Sequence, residues 1–432
     1  MLFIFANMPT PGGVNETYEN ILLRIDKADV DFLRRTLLWL TFAVTPLTLL
    51  ELREAVAMED DMTTYEQLED SRLLRPEDIL AIGGCLLSVS DEGYVKLAHL
   101  SVKSYLLSTD LKNHTALSRF GMDLAGAKDE LAKVSLRYMC LDSLASGPAS
   151  TLQDWEKRLG CHPLLHHASR SWSYYYRAAS PRPQLSEQVS AFFDDRSRGS
   201  FMSWVQMLSS NWIFKWDEYP RHATPLYYAA WFGLGDVVAH LLTSGVDINA
   251  PGSRFGGTAL HGATLREHPR VMEALLATAA DPSQADFNHV APLHTAARIG
   301  NPEVIRLLLD YGASKDKADS LGETPLDWAK KAGQQLSLKL IEGSDVTTPS
   351  RPPKTDGQKA VLVSAVSVPT NAMPKNAMAN NAIANNAMAN NAMANNAMAN
   401  NAMPRNAMAE NAKRRKDNWR KSTTMGRPAS FG

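Results

Sequence analysis

Two short phrases hold the residues best suited by type to do chemistry. Leu97-Ala98-His99-Leu100-Ser101 sets a histidine beside a serine, and Cys161-His162-Pro163-Leu164-Leu165-His166-His167 offers an H-x-x-x-H pair next to a thiol. Histidine titrates close to neutral pH and so can move protons; His and Cys together are zinc ligands. Neither phrase completes a site. The second lacks a matched second half and has Pro163 inside it, so packing is the expected role. His99 reads as a hydrogen-bonded core histidine on a returning strand. A hydrolase hidden in residues 111–216 would need Asp154, Cys161 and His166 to converge. Other fingerprints are missing: no Gly-Lys dipeptide and hence no P-loop, no His followed by Glu, no G-x-S-x-G, no Rossmann glycines, no paired-cysteine spacing. The expectation is a protein with no catalytic residue, no metal, no cofactor and no small-molecule substrate.

Composition narrows the class further. The 432 residues suggest two or three domains. Charge is balanced, 45 basic against 46 acidic, so no global field draws in nucleic acid or anionic lipid. Cys85, Cys140 and Cys161 form no even framework, which suits a reducing compartment. Met1 to Ala6 lacks a basic flank and a full apolar core, unlike a signal peptide. The uncharged run Thr36 to Leu50 has 15 residues and contains Pro46, too short to span a bilayer. A cytoplasmic protein without membrane contact is expected, with the nucleus as the alternative.

The elements that could position anything are clearest in the last third. A phrase returns there: Thr224-Pro225-Leu226-Tyr227, Thr258-Ala259-Leu260-His261, Ala291-Pro292-Leu293-His294 and Thr324-Pro325-Leu326-Asp327, at spacings of 34, 33 and 33 residues. Pro225, Pro292 and Pro325 suit a first helical turn, where the missing N–H has no partner to lose, and the preceding Thr suits the N-cap. Ala229-Ala230 and Ala296-Ala297 allow close helix contact. Second helices follow with Val237, Val238, Leu241 and Leu242, then Val304, Ile305, Leu307, Leu308 and Leu309, ended by Gly245 and Gly312. A period of 33 around T-P-L-H-x-A is the ankyrin signature. Residues 219–342 resemble an ankyrin array of three full repeats and one truncated one. In the second repeat Ala259, Thr264 and Glu267 replace the family's Pro, Ala and Gly, so it is expected to be the softest unit.

Upstream, residues 14–110 read as helix from Asn15, helix from Asp29 to Leu40, a break at Pro46, helix from Thr48, and a helix through Ile79 and Ile82 to Leu87. A hairpin then turns at Asp91-Glu92-Gly93, with Val95, Leu97 and His99-Leu100 as its return strand. Thr17-Tyr18-Glu19-Asn20-Ile21-Leu22, Leu38-Trp39-Leu40, Pro46-Leu47-Thr48-Leu49-Leu50-Glu51-Leu52 and Leu97-Ala98-His99-Leu100-Ser101-Val102-Lys103-Ser104-Tyr105-Leu106 resemble the winged-helix domain of GPI inositol-deacylase type that follows the NACHT NTPase in fungal NLR-like proteins. That resemblance implies an NTPase upstream, which this sequence does not contain, and a signalling role. The segment holds 18 Asp and Glu against 9 Lys and Arg, a net charge near −9. Phosphate binding needs the opposite sign, so no nucleic-acid partner is expected.

Residues 111–216 stay helical but irregular. Trp155, Trp172, Trp204, Trp212, Trp216 and Trp231 mark that stretch and its end as core, a helical shoulder at the N-terminal end of the array. Residues 346–432 change character. From Asn371 to Arg415 a five-residue unit, commonly Asn-Ala-Met-Ala-Asn, recurs nine times. Such polar repeats cannot bury enough surface to offset chain entropy, and disorder is expected. Lys413-Arg414-Arg415-Lys416 with Arg420-Lys421 forms a cluster of nuclear-localisation type.

The fold expected is therefore mainly α: a winged-helix unit, a helical shoulder, an ankyrin α-solenoid and a disordered tail. The function expected is non-enzymatic binding of a protein partner in the ankyrin groove, as sensor or adaptor of an NLR-like protein. The alternative is a nuclear regulator acting through the winged helix and the basic tail. What the ankyrin resemblance implies about contacts falls on the finger residues before each phrase and on the pair after each Ala-Ala. These are Pro220, Arg221 and Ala223 with Trp231 and Phe232; Arg254, Phe255, Leu265 and Arg266; and Phe287, Asn288, Arg298 and Ile299. Trp231 and Phe232 are expected to pack on the shoulder instead.

Overall fold

A computed structural model of the chain describes residues 13–179, 183–210 and 215–343. The tail at 346–432, with its pentads and basic cluster, lies outside the described residues, as do Trp212 and the apolar start.

The first helices are α1 (Gly13–Leu23), α2 (Val30–Phe42), α3 (Leu49–Ala57), α4 (Tyr65–Ser71) and α5 (Asp78–Gly83). Three short strands, β1 (Leu47–Thr48), β2 (Leu87–Val89) and β3 (Tyr94–Leu97), form an antiparallel sheet in the order β1-β3-β2. Helices α6 (Leu100–Leu106) and α7 (Thr109–Asn113) complete the unit. Thr48 closes β1 and opens α3: its backbone N–H donates to Glu51 Oε2 at 2.8 Å, and Glu51 N–H donates back to its hydroxyl. Leu47 pairs with Val95, both buried, so the wing holds to the helices by its apolar face.

Two expectations fail here. The helix through Ile79 stops at Gly83, because Gly84 leaves the helical region and a 3₁₀ turn leads into β2 at Leu87. The return strand ends at Leu97, and His99 is not a core residue. It is exposed and caps α6, its Nδ1 accepting from Ser101 N–H at 3.1 Å.

The shoulder comprises α8 (Leu124–Met139), α9 (Asp142–Ala145), α10 (Leu152–Cys161), α11 (Leu165–Ala178), α12 (Pro183–Phe192) and α13 (Arg198–Ser209). Helix α8 packs along α11, and Arg34 of α2 forks onto Glu130 of α8 at 2.8 and 3.1 Å. Trp172, Phe192, Phe193, Phe201 and Trp204 form a buried cluster of tilted and edge-on rings, with neighbouring centroids 5.5–6.3 Å apart. Trp155 and Trp231 are also buried and Trp216 is half-buried.

The repeats are helix pairs: α14 (Pro225–Trp231) with α15 (Gly235–Thr243), α16 (Ala259–Leu265) with α17 (Pro269–Ala277), α18 (Pro292–Ile299) with α19 (Pro302–Asp310), and α20 (Pro325–Lys331) with α21 (Gln335–Glu342). The third residue of each phrase's helix explains its register. Nδ1 of His261 accepts from Thr258 N–H at 3.0 Å, and its Nε2 donates to Val290 O of the next finger at 3.0 Å. His294 repeats this one unit on, from Ala291 N–H at 3.1 Å to Glu323 O at 3.1 Å. Each imidazole thus caps its own helix and ties two repeats. Asp327, in the last phrase, caps Thr324 alone.

Left-handed side chains cluster in the second repeat and the finger that follows it, at Glu267, Ala279 and His289. Gly233, Gly300 and Gly333 turn between paired helices at φ +68°, +89° and +69°, and Glu267 takes the same turn at +54°. Ala279 sits at +72° where the other repeats have Gly245, Gly312 and Gly343. A side chain in this region costs about 1–2 kcal/mol, offset at Glu267 by a 2.7 Å hydrogen bond from Asn301 Nδ2. Glu267→Gly should raise the unfolding free energy in urea by about 1 kcal/mol; a lower value would show that the Asn301 bond outweighs the strain.

Buried neutral histidines give a second prediction. Burial is the main cause holding His162, His167 and His261 down to about 4 and His268 to about 3, and His294 is lowered for the same reason. An unfolded histidine titrates near 6.5. The folded values lie below it, so the stabilisation is complete above pH 6.5 and is lost as the pH falls from there toward 4. The slope is up to about 1.4 kcal/mol per pH unit for each histidine. Asp286 and Glu54, raised by burial, act in the opposite sense near the carboxylate range. The urea midpoint at pH 5.5 should fall well below that at pH 7.5, and His261→Gln should flatten the dependence.

Candidate protein-binding surface

Finger residues project before each phrase and are joined by main-chain bonds. Phe287 N–H donates to Phe255 O at 2.8 Å, and Ser320 N–H to Asn288 O at 3.0 Å. Carboxylates fold the tips: Asp286 Oδ1 accepts from Asn288 and Val290 N–H at 2.8 and 3.0 Å, and Asp319 Oδ1 from Leu321 and Glu323 N–H at 2.8 and 2.9 Å. On this base Phe287 stands out. It is 64% exposed, with its ring against His222 at 5.8 Å and lying across Gly256. A Cβ at Gly256 would meet that ring at 2.4 Å, and its φ is +79°, so glycine is required on both counts. Phe255 and Asn288 are half-buried, and Leu321 is exposed one finger on.

The second line of candidates runs along the C-terminal ends of the first helices. Arg266 lies over the Trp231 ring at 5.1 Å, and Arg298 over the Trp328 ring at 5.6 Å. Leu265 and Ile299 are half-buried beside them, and the Ile299 and Arg298 carbonyls accept from Gln334 Nε2. Burial first, then the charge of Arg177, pushes the Arg266 guanidinium down to about 10. Arg254, half-buried in the second finger, is lowered by burial against the pull of Glu218. Arg221 of the first finger instead stacks on Tyr219, and Pro220 and Ala223 are buried.

Trp231 and Phe232 part company. Phe232 packs on the shoulder, 5.4 Å from Trp204, as expected. Trp231 faces Tyr227 and Arg266, and its carbonyl accepts from His268 Nε2 at 3.2 Å, so it belongs to the contact with the second repeat. The edge meeting the shoulder is Tyr228, 5.4 Å from Trp204. Arg177 of α11, unmarked by any motif, comes to the same side as Arg266.

The candidates for chemistry do not converge. His162 meets Ser143 Oγ at 3.1 Å between the Tyr65 and Tyr138 rings, and His167 bridges Thr45 Oγ1 and Tyr175 OH at 2.9 Å each. Asp154 is exposed in the first turn of α10, where its backbone N–H donates to the capping Thr151 Oγ1 at 3.0 Å and its Oδ2 accepts from Ser150 Oγ. Burial raises the Cys140 thiol to about 12, far from a reactive thiolate. Among the described residues no group of three His, Cys, Asp or Glu could hold a metal, and no helix is long and apolar enough to cross a membrane.

Three family models match parts of the chain. Residues 25–118 match the family model described as GPI inositol-deacylase, winged helix domain. Residues 221–253 match Ankyrin repeat, and residues 260–350 match Ankyrin repeats (3 copies). A curated protein of Monascus ruber, "Azaphilone pigments biosynthesis cluster protein L", is 28% identical over 294 residues. The match covers 63% of this chain and 60% of the length of that relative. The chain thus carries ankyrin repeats behind a winged-helix domain of the GPI inositol-deacylase type.

Proposed function

We propose that this protein is a non-catalytic interaction module whose finger tips and first-helix ends bind a protein partner. The observation that carries the reading is Phe287: a large ring 64% exposed on a tip held by one main-chain bond to each neighbouring finger, with Phe255 beside it. Exposed aromatics next to arginines are the composition of binding hot spots, and rigid tips reduce the ordering cost of association. Within this reading the winged helix and shoulder serve as support, and the array acts as the sensor or adaptor part of an NLR-like signalling protein. The Monascus ruber relative takes its name from a pigment biosynthesis cluster, a setting compatible with a binding role that needs no reaction of its own.

Affinity capture with the full chain as bait, compared with the Phe255→Ala, Phe287→Ala double variant, tests the surface. The expected result is loss of at least about 2 kcal/mol of affinity for whichever partner the parent chain retains specifically. Unchanged recovery by a variant with the parent's thermal midpoint would remove these residues from the interface. The signalling context is read separately, by sequencing the native transcript through its 5′ end. An upstream P-loop in frame supports a nucleotide-switched receptor, and a frame that starts at Met1 supports an adaptor without a motor.

A further inference from the structure

We infer that the partner of this surface presents an acidic protein segment, whose carboxylates occupy the guanidiniums of Arg266, Arg298 and Arg177. The inference rests on the binding surface proposed above and adds the chemistry of its occupant.

Charged groups withdrawn from water are ordinarily paired, and these three are not. Arg266 is held against the Trp231 ring and Arg298 against the Trp328 ring, while the buried Nε atoms of Arg177 and Arg298 have no acceptor. Among the described residues none of the three forms an ion pair. The charge bearing on Arg266 is the like charge of Arg177, and no carboxylate bears on either guanidinium. The internal stretches 180–182 and 211–214 contain no Asp or Glu that could answer them. Carbonyl dipoles at the C-terminal ends of α16 and α18 offset part of the cost, but a full negative charge offsets more. His268 is driven down to about 3, first by burial and then by the charges of Arg177 and Arg266. Positive potential is therefore concentrated at the junction of shoulder and array.

By contrast, the neighbouring cations of the last repeat are answered from within: Lys331 meets Glu323, and Lys330 lies 3.9 Å from Asp327. Arg177, Arg266 and Arg298 have no such carboxylate among the described residues. Flat guanidiniums fixed on indole faces present their forks for two-pronged contact with carboxylates. The chain's own tail is mismatched, since residues 346–432 carry 12 Lys and Arg against 3 Asp and Glu. The occupant is an acidic segment of another protein.

The full chain is panned against a random short-peptide library, and enriched peptides should be rich in Asp and Glu. The leading peptide is then titrated by fluorescence anisotropy, beside its Asn/Gln counterpart and an oligothymidine, against the parent and the Arg266→Gln, Arg298→Gln and Phe287→Ala chains. The acidic peptide should weaken at least about tenfold with either arginine variant, and likewise when its carboxyls become amides. Peptides that bind without acidic residues, or with no response to either arginine, overturn the inference. If such peptides still respond to Phe287→Ala, the surface stands and only its chemistry was misjudged; if they respond to none, both fall. Equal binding of oligothymidine with the same arginine dependence overturns the choice of protein over nucleic acid, and absence of any enriched peptide also counts against it. Should Arg266→Gln lower the thermal midpoint through its Trp231 stack, Arg298→Gln decides.

Discussion

An ankyrin repeat can bury its apolar face only against a neighbour, and this constraint governs the rest of the chain. The first repeat has no repeat before it. Its exposed edge, Tyr228 and Phe232, closes on Trp204 and Phe201 of the shoulder. Ser186 and Tyr176 donate to Asp236 on its second helix, fixing the orientation with polar bonds. The shoulder in turn rests on the winged-helix unit, where Tyr175 OH accepts from Val44 N–H at 3.1 Å and Lys128 Nζ donates to Phe42 O at 2.8 Å. An aromatic end cap thus stands in for the polar capping repeat of a free array.

What was legible in the sequence was local. Thr224, Pro225 and the Ala pairs act within one helix turn, and the 33-residue return fixed the stack. The wing was legible as well, because Gly93 at φ +84° closes a hairpin within four residues. His99 was misread because a strand's alternation and a helix cap look alike over two residues; the difference lies in where the backbone turns. Trp231 was misplaced because sequence does not say which edge of the first helix meets the shoulder. Arg177 was invisible. It lies 89 positions before Arg266, and only the packing of α11 beside the array brings the two charges together.

Glu54 shows the same limit in the winged-helix unit. Nothing in the phrase around it sets it apart from other surface-like glutamates. Yet it is fully buried, takes Arg72 Nη1 at 2.8 Å and Tyr138 OH at 3.2 Å, and so joins α3 to α8. Burial raises its pKa against the pull of Arg72. Such a polar knot registers two units against each other.

The left-handed Glu267 and Ala279 have a mechanical consequence. One end of the array is anchored by the aromatic cap, and the third and fourth repeats are tied by the His294 bridge. Opening in a one-dimensional stack starts where the unit is least stable. The second repeat, midway along and tied onward by the His261 bridge, is where we expect that opening to begin. An array that opened there would bend like a ruler scored at its centre.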